Sequence, residues 1–233
     1  MPLSPVFKDR ARSYFWKTIL VKRLLFLFSV SLAILLSFCN SRTKKPVSVA
    51  KKVSAFNRTA DKIAKESSLK TAIHFADSLR HFLKRNGYSS RLIFIADMNL
   101  HMFVNRFYAI NPDSSKVLGT FLVAHGRGGR SKWDSVAFSN VPGSLCTSKG
   151  RYKIGNSYYG EFGKGYKLFG LDATNNNAFK RLVVFHSYFD QTESEYSKPN
   201  YMSSGCPMLA PKSFYFCDSL VQKEKKPVMM VIY

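Results

Sequence analysis

The chain has 233 residues, room for one domain of ordinary size or two small ones, and with 45% hydrophobic and 15% aromatic residues it is not wholesale disordered. Lys plus Arg number 36 against 14 Asp plus Glu, a formal net charge of +22 that predicts attraction to polyanions (nucleic acid, anionic lipid or an acidic wall polymer) and says nothing about fold. Four cysteines are too few for a scaffold built on disulfides.

Residues 1–41 read as a targeting segment. Lys8, Arg10, Arg12, Lys17, Lys22 and Arg23 form a basic start, Leu24 to Phe38 carries no charge, and small residues follow at Cys39 and Ser41. The apolar run is shorter than the roughly 20 residues a bilayer span needs, so a signal peptide is expected, with an uncleaved N-terminal anchor as the alternative. Phe38 disfavours lipidation of Cys39, because such sites want a small residue there. The remainder is still strongly basic, and an exported basic domain meets cell wall and anionic lipid rather than nucleic acid.

Residues 42–66 are basic and poor in large apolar side chains, the texture of a linker. In 67–89, Leu69, Ala72, Ile73, Ala76, Leu79, Phe82 and Leu83 recur at helical spacing and Gly87 ends the run, predicting one amphipathic helix. His74 and His81 ride on it as surface residues. From 90 to 233 the texture is mainly β. RLIFIADM, HMFVNRFYAI and VLGTFLVAHG are strand-like. Residues 125–166, rich in Gly, Ser, Asn and Tyr, predict short strands and long loops, where sites are usually built. RLVVFHS reads as a buried strand ending at His186, a helix is expected after Pro211, and the chain closes with a strand from Pro227. Tyr152, Tyr158, Tyr159 and Tyr166 read as core and sheet face.

The chemistry concentrates in one stretch. Sixteen residues separate His186 from Ser203, which opens Ser203-Ser204-Gly205-Cys206-Pro207. Gly205 permits backbone angles closed to other residues, and Pro207 lacks an N–H and holds Cys206 extended. The loop is shaped to present a thiol, with His186 as candidate base. Any oxyanion hole here must draw on the N–H groups of Ser204, Gly205 or Cys206. A free thiol with a pKa of about 8.5 is several per cent ionised near neutrality, so complete ionisation gains only about tenfold. Positioned proton transfer to a departing amine contributes about 10²–10⁴-fold. His186 therefore matters more as acid and base than as a thiol ioniser. A zinc site from His125, His186 and Cys206 lacks a short-spaced ligand pair, so no metal is expected. Cys146 and Cys217 are candidates either for a disulfide or for simple packing.

These residues resemble the L,D-transpeptidases of bacterial cell-wall synthesis, whose signature is a His, a spacer of similar length, Ser or Thr, His, Gly, Cys, one residue, then Asn or Arg. The likeness is closer to the murein L,D-transpeptidase catalytic domain branch, with its Ser-x-Gly-Cys-Pro. The upstream segments Val123-Ala124-His125-Gly126, Phe138-Ser139-Asn140-Val141-Pro142-Gly143-Ser144 and Gly170-Leu171 match that branch too. The resemblance covers roughly residues 90–233. It implies an L,D-transpeptidase-like β-sandwich with one helix before it and one after the Cys loop. It implies no cofactor, and a reaction on peptidoglycan in which Cys206 attacks a stem peptide, a D-amino acid leaves with a proton from His186, and the thioester passes to an amine. Transfer to water, an L,D-carboxypeptidase reaction, is the alternative, and a non-catalytic wall-binding module is the reading from outside enzymology. Ser187 resembles the third member, orienting the imidazole through its backbone carbonyl. Gly205 and Ser204 are the oxyanion candidates, and Ser203, His125 and Arg127 the substrate-binding ones. Ser204, Met208 and Met202 depart from the usual His, Asn or Arg, and Arg. Lys212, Arg127, Arg130 and Lys149 are the candidates to replace the lost carboxylate contacts. The expected location is periplasm or cell envelope, with peptidoglycan as partner, an anionic membrane surface as a second, and no nucleic acid.

Overall fold

A long helix opens the described part of the chain. The computed structural model describes residues 58–197 and 201–233; the targeting segment 1–41, Cys39 and the linker up to residue 57 lie outside them. Helix α1 spans Arg58–Arg85, so it begins nine residues before the start expected from hydropathy, and residues 58–66 are helical rather than linker. The reason is that its first turns are held by polar contacts: the Tyr196 hydroxyl donates to the Asp61 carboxylate at 2.6 Å and Lys65 pairs with Glu195 at 2.6 Å. Apolar periodicity is blind to such anchors. Asp61 in the first turn and Lys84 and Arg85 in the last complement the helix dipole. The helix stops where the sequence placed the stop. Gly87 adopts φ +73°, and the Tyr88 N–H reaches back to the Leu83 carbonyl at 2.9 Å.

Eight strands follow: β1 (Ile93–Ala96), β2 (Phe107–Asn111), β3 (Lys116–Phe121), β4 (Gly150–Gly160), β5 (Gly163–Gly170), β6 (Val184–Ser187), β7 (Met208–Leu209) and, after helix α2 (Pro211–Val221), β8 (Met229–Ile232). The expected strand 181–187 thus begins at Val184, because residues 174–182 are taken up by turns. The strands form one sheet in the order β3-β2-β1-β8-β4-β5-β6-β7. Among the described residues the protein is mainly β with two helices. The last strand sits in the middle, parallel to β1 and antiparallel to β4. All four residues of β1 and of β8 are buried, so these strands read as unbroken apolar runs rather than alternating ones.

Alternation sorts two cores onto the two faces. Ile93, Ile95, Tyr108, Ile110, Met229 and Val231 pack under Ala72, Ala76 and Leu83 of α1. Phe94, Phe107, Tyr152, Tyr166, Leu168, Phe185 and Met230 make the larger core, closed by Phe214 and Cys217 of α2. Phe107 of β2 and Phe185 of β6 stack at 5.6 Å although β6 lies five places from β2, so the sheet curls over until its two ends face each other. The bridge between Ala124 and Met208 joins those ends. Tyr152 and Tyr166 are core, as expected, whereas Tyr159 is exposed. Cys146 and Cys217 are buried free thiols: Cys217 packs in the core, and the Cys146 thiol donates to the Ser144 carbonyl, so the disulfide is not formed.

Candidate active site

The site forms where β6 and β7 lie side by side in parallel, His186 opposite Met208 and Ser187 opposite Leu209. Cys206 precedes β7 by two residues, level with the start of β6. The residue is partly exposed, and its thiol accepts the Val184 N–H at 3.4 Å and donates to the Leu182 carbonyl at 3.8 Å. Leu182 is itself strained, at φ +57° with a large exposed side chain. A left-handed non-glycine residue costs about 1–2 kcal/mol, and here it aims a carbonyl at the thiol.

The loop 203–206 is tied from within. The Ser203 hydroxyl accepts the Gly205 N–H at 3.0 Å and donates to the Cys206 carbonyl at 2.6 Å. Gly205 has φ +117°, and a Cβ there would lie 2.8 Å from the Cys146 carbonyl oxygen. Only glycine fits. The Gly205 N–H is thus taken up by the Ser203 hydroxyl, and that hydroxyl by its own loop. Among the described residues, the N–H groups of Ser204 and Cys206 have no intramolecular acceptor and remain available.

His186 is almost fully buried. Its Nδ1 lies 2.8 Å from the Ser187 carbonyl oxygen, which can only accept. Nδ1 therefore carries the proton, and in the neutral ring the lone pair is on Nε2. Phe162, at the tip of the β4–β5 hairpin, stacks on the imidazole at 4.8 Å and 24°. Burial pushes the imidazole pKa down, opposed by the bond to Ser187. Burial pushes the Cys206 thiol up, opposed by the Val184 N–H and by the charge of Arg181. Both shifts favour a neutral thiol beside a neutral imidazole over an ion pair. The thiol's hydrogen bonds go to backbone rather than to the ring, an arrangement common in sites without substrate.

Cys206, His186, Ser203, Ser204 and Arg127 line one cleft of about 290 Å³ together with Phe162, Tyr188, Tyr201, Met202 and Met208. Arg127 is exposed and makes no ion pair among the described residues. Of the four cations considered for carboxylate recognition it is the one in the cleft. Lys149 instead sits 5.3 Å over the Phe138 ring.

His125 is fully buried, does not line the cleft, and makes a structural hydrogen bond, its Nδ1 accepting from the Arg106 guanidinium at 2.7 Å. Arg106, also fully buried, further donates to the carbonyls of Val123 and Leu100. A neutral His125 is what such a neighbour requires: burial and the Arg106 charge push it down to about 3, and burial pushes Arg106 down to about 9. The contribution of this segment to the site is its backbone, with the Ser203 N–H donating to the His125 carbonyl and the Arg127 N–H to the Ser203 carbonyl, each at 2.8 Å.

Two residues escaped the sequence reading. Arg181 donates to the Ser139 and Cys146 carbonyls and to the Ser148 and Ser144 hydroxyls, bracing loop 139–148 beneath Gly205. Nothing in its local sequence marks it. Phe162 had a weak signal, lying between Gly160 and Gly163 in a stretch that reads as a tight hairpin.

A model of the L,D-transpeptidase catalytic domain matches residues 60–233. Among curated proteins, none matches in sequence. Similar solved structures include an L,D-transpeptidase from Mycobacterium smegmatis, 11% identical with a TM-score of 0.38, over 63% of this chain and 60% of that one. The helical cell shape determining protein Pgp2 from Campylobacter jejuni is 16% identical with a TM-score of 0.38, over 63% and 49%. An L,D-transpeptidase from Xylanimonas cellulosilytica is 13% identical with a TM-score of 0.35, over 62% and 61%. The chain thus spans less than two thirds of the length of each of these. With three quarters of its residues under one family model, the chain belongs to the L,D-transpeptidase catalytic domain family.

Proposed function

We propose that the protein is a cysteine-dependent L,D-transpeptidase that acts on peptidoglycan stem peptides. The observation that carries the reading is the meeting, in one cleft, of the thiol of a partly exposed cysteine, an imidazole with its free lone pair on Nε2, and two N–H groups beside the thiol that have no acceptor among the described residues.

The thiol starts neutral. As Sγ attacks the carbonyl on the L-centre side of an L,D-peptide bond, its proton passes to His186 Nε2. The Ser187 carbonyl holds the ring and stabilises the imidazolium that forms. The developing oxyanion takes the N–H groups of Ser204 and Cys206, in a site where such donors contribute about 10²–10³-fold each. Collapse of the tetrahedral intermediate breaks the C–N bond, the D-amino acid departs with the proton from Nε2, and a Cys206 thioester remains. An acceptor amine then loses a proton to Nε2, forms the new amide, and Sγ is reprotonated. Arg127 supplies the positive charge for a stem carboxylate. Export through residues 1–41 to the cell envelope belongs to the same proposal.

Incubation of purified peptidoglycan with the protein, followed by mass spectrometry, tests it. Dimers joined from the L-centre carbonyl of the donor stem to an amine of the acceptor stem are the expected product, and they disappear with Cys206→Ala. Shortened stems without dimers mean that water is the acceptor and the protein is a carboxypeptidase. Stem processing that survives Cys206→Ala excludes the thioester, and no change with either protein leaves a wall-binding module.

A further inference from the structure

A second and larger concavity, about 550 Å³, is lined by Lys153, Lys167, Lys225, Lys226, Phe169 and Phe179. Strand register places it. Lys153 pairs with Phe169 and Lys167 with Val184, so these four side chains share one sheet face. Their neighbours Ile154, Leu168 and Phe185 point the other way, into the core. Val184 is the residue whose N–H holds the Cys206 thiol, and His186 shares its face two residues on. The groove therefore begins one strand from the nucleophile, on the same surface.

Its charge is held in position and left uncancelled. The Phe169 and Phe179 rings stack at 4.8 Å and 11°. Lys153 Nζ lies 5.0 Å from the Phe169 centroid and Lys167 Nζ 5.9 Å from that of Phe179. A cation–π contact fixes an ammonium and leaves its charge. Gly155 makes room, since a Cβ there would stand 2.5 Å from the Phe169 ring. None of the four lysines forms an ion pair among the described residues. The one carboxylate that lines the groove, Glu224, is turned to Ser89 and Arg91.

We propose that this groove is a second binding site, for the carboxylate-bearing stems of a polymeric peptidoglycan strand whose reacting stem occupies the cleft. The proposal rests on the function proposed above. Contiguity with the thiol favours a polymer over a membrane: a bilayer engaging lysines on this face would also cover the mouth of the cleft.

The test compares the wild type with a variant carrying Lys153→Gln, Lys167→Gln, Lys225→Gln and Lys226→Gln, with melting temperature as a check that the variant folds and the fourfold Lys→Arg variant as rescue. Cosedimentation with insoluble peptidoglycan at low salt is expected to weaken by about tenfold in the Gln variant, to survive in the Arg variant, and to lose its contrast at high salt. Turnover of a short soluble stem peptide is expected to stay within about twofold of wild type, because the cleft is intact. Unchanged cosedimentation overturns the proposal. So does a defect confined to phosphatidylglycerol vesicles, which would assign the groove to lipid. If the binding contrast appears and the wild type turns over neither substrate, the groove stands and the proposed reaction falls.

Discussion

The two halves of the sheet use the same alternation for different ends. In β1, β2 and β8 both faces are covered, one by α1 and the other by the large core, and the exposed surface there is that of the helix. In β5 and β6 one face meets the same core while the other carries Lys167, Phe169, Val184 and His186, with no helix over it among the described residues. What differs is what the outer face is left to do. Buried under α1 it gives stability; left open it gives a cleft and a groove on a rigid support. Coverage of a sheet face, more than the strands themselves, decides where chemistry can be placed.

The largest expected effect breaks the comparison on the open side. His186→Gln keeps the shape of the ring site and removes the base, and kcat/KM for a stem peptide is expected to fall by about 10²–10⁴-fold. The melting temperature should fall only modestly, because the buried ring gives up its stack with Phe162 and its bond to the Ser187 carbonyl but no contact in the large core. A large loss of stability would mean that His186 belongs to the core side. The mirror case is Phe185, one residue earlier and pointing the other way. It packs on Phe94, Phe107 and Phe214, so Phe185→Ala is expected to cost about 3–5 kcal/mol in denaturant unfolding. A cost under 1 kcal/mol would refute the picture of two sheet ends packed through this ring.

Gly205 sharpens the contrast between loop and strand. Gly205→Ala puts a methyl against the Cys146 carbonyl at a φ that side chains rarely adopt. About 1–3 kcal/mol of stability is expected to be lost, with a fall in kcat that exceeds what the unfolded fraction explains, since the loop that carries Cys206 must shift. Equal losses in stability and activity would reduce Gly205 to a packing residue.

Much of this was legible in the sequence, and the parts that were not share a cause. β6, α2 and the final strand follow from short-range pattern, because burial on both faces or a proline at the start of a helix leaves a mark within a few residues. The Ser-x-Gly-Cys-Pro loop was visible because Gly205 and Pro207 act on the backbone next to them. The start of α1 was hidden: Asp61 and Lys65 find Tyr196 and Glu195 more than 100 residues away. The place of His125, after a strand and before a glycine, suits a cleft residue and a structural hydrogen bond equally, and its partner Arg106, a buried charge bonded to carbonyls and to this ring, is a feature no periodicity signals. Arg181 was silent for the same reason, since its acceptors are backbone carbonyls. Side-chain to backbone bonds across the fold are the layer that local reading misses.

The smallest expected effect concerns protons. The base must be neutral to take the thiol proton, so kcat/KM falls as pH drops through the imidazole pKa. Burial lowers that pKa, opposed by the bond to Ser187, so the acid limb is expected to have its midpoint below the roughly 6.5 of a free imidazole. Part of the burial is the Phe162 ring stacked on the imidazole. Phe162→Ala admits water, stabilises the charged ring, and is expected to move the midpoint upward, toward the free value, with melting temperature nearly unchanged because Phe162 is a half-exposed residue at a hairpin tip. On the alkaline side the thiol, pushed up by burial, keeps its proton past the range of an ordinary cysteine, so activity should hold there. A midpoint near 6.5 that ignores Phe162→Ala would mean that the imidazole is already solvated in the working enzyme, and that the open face of the sheet opens further than the resting structure does.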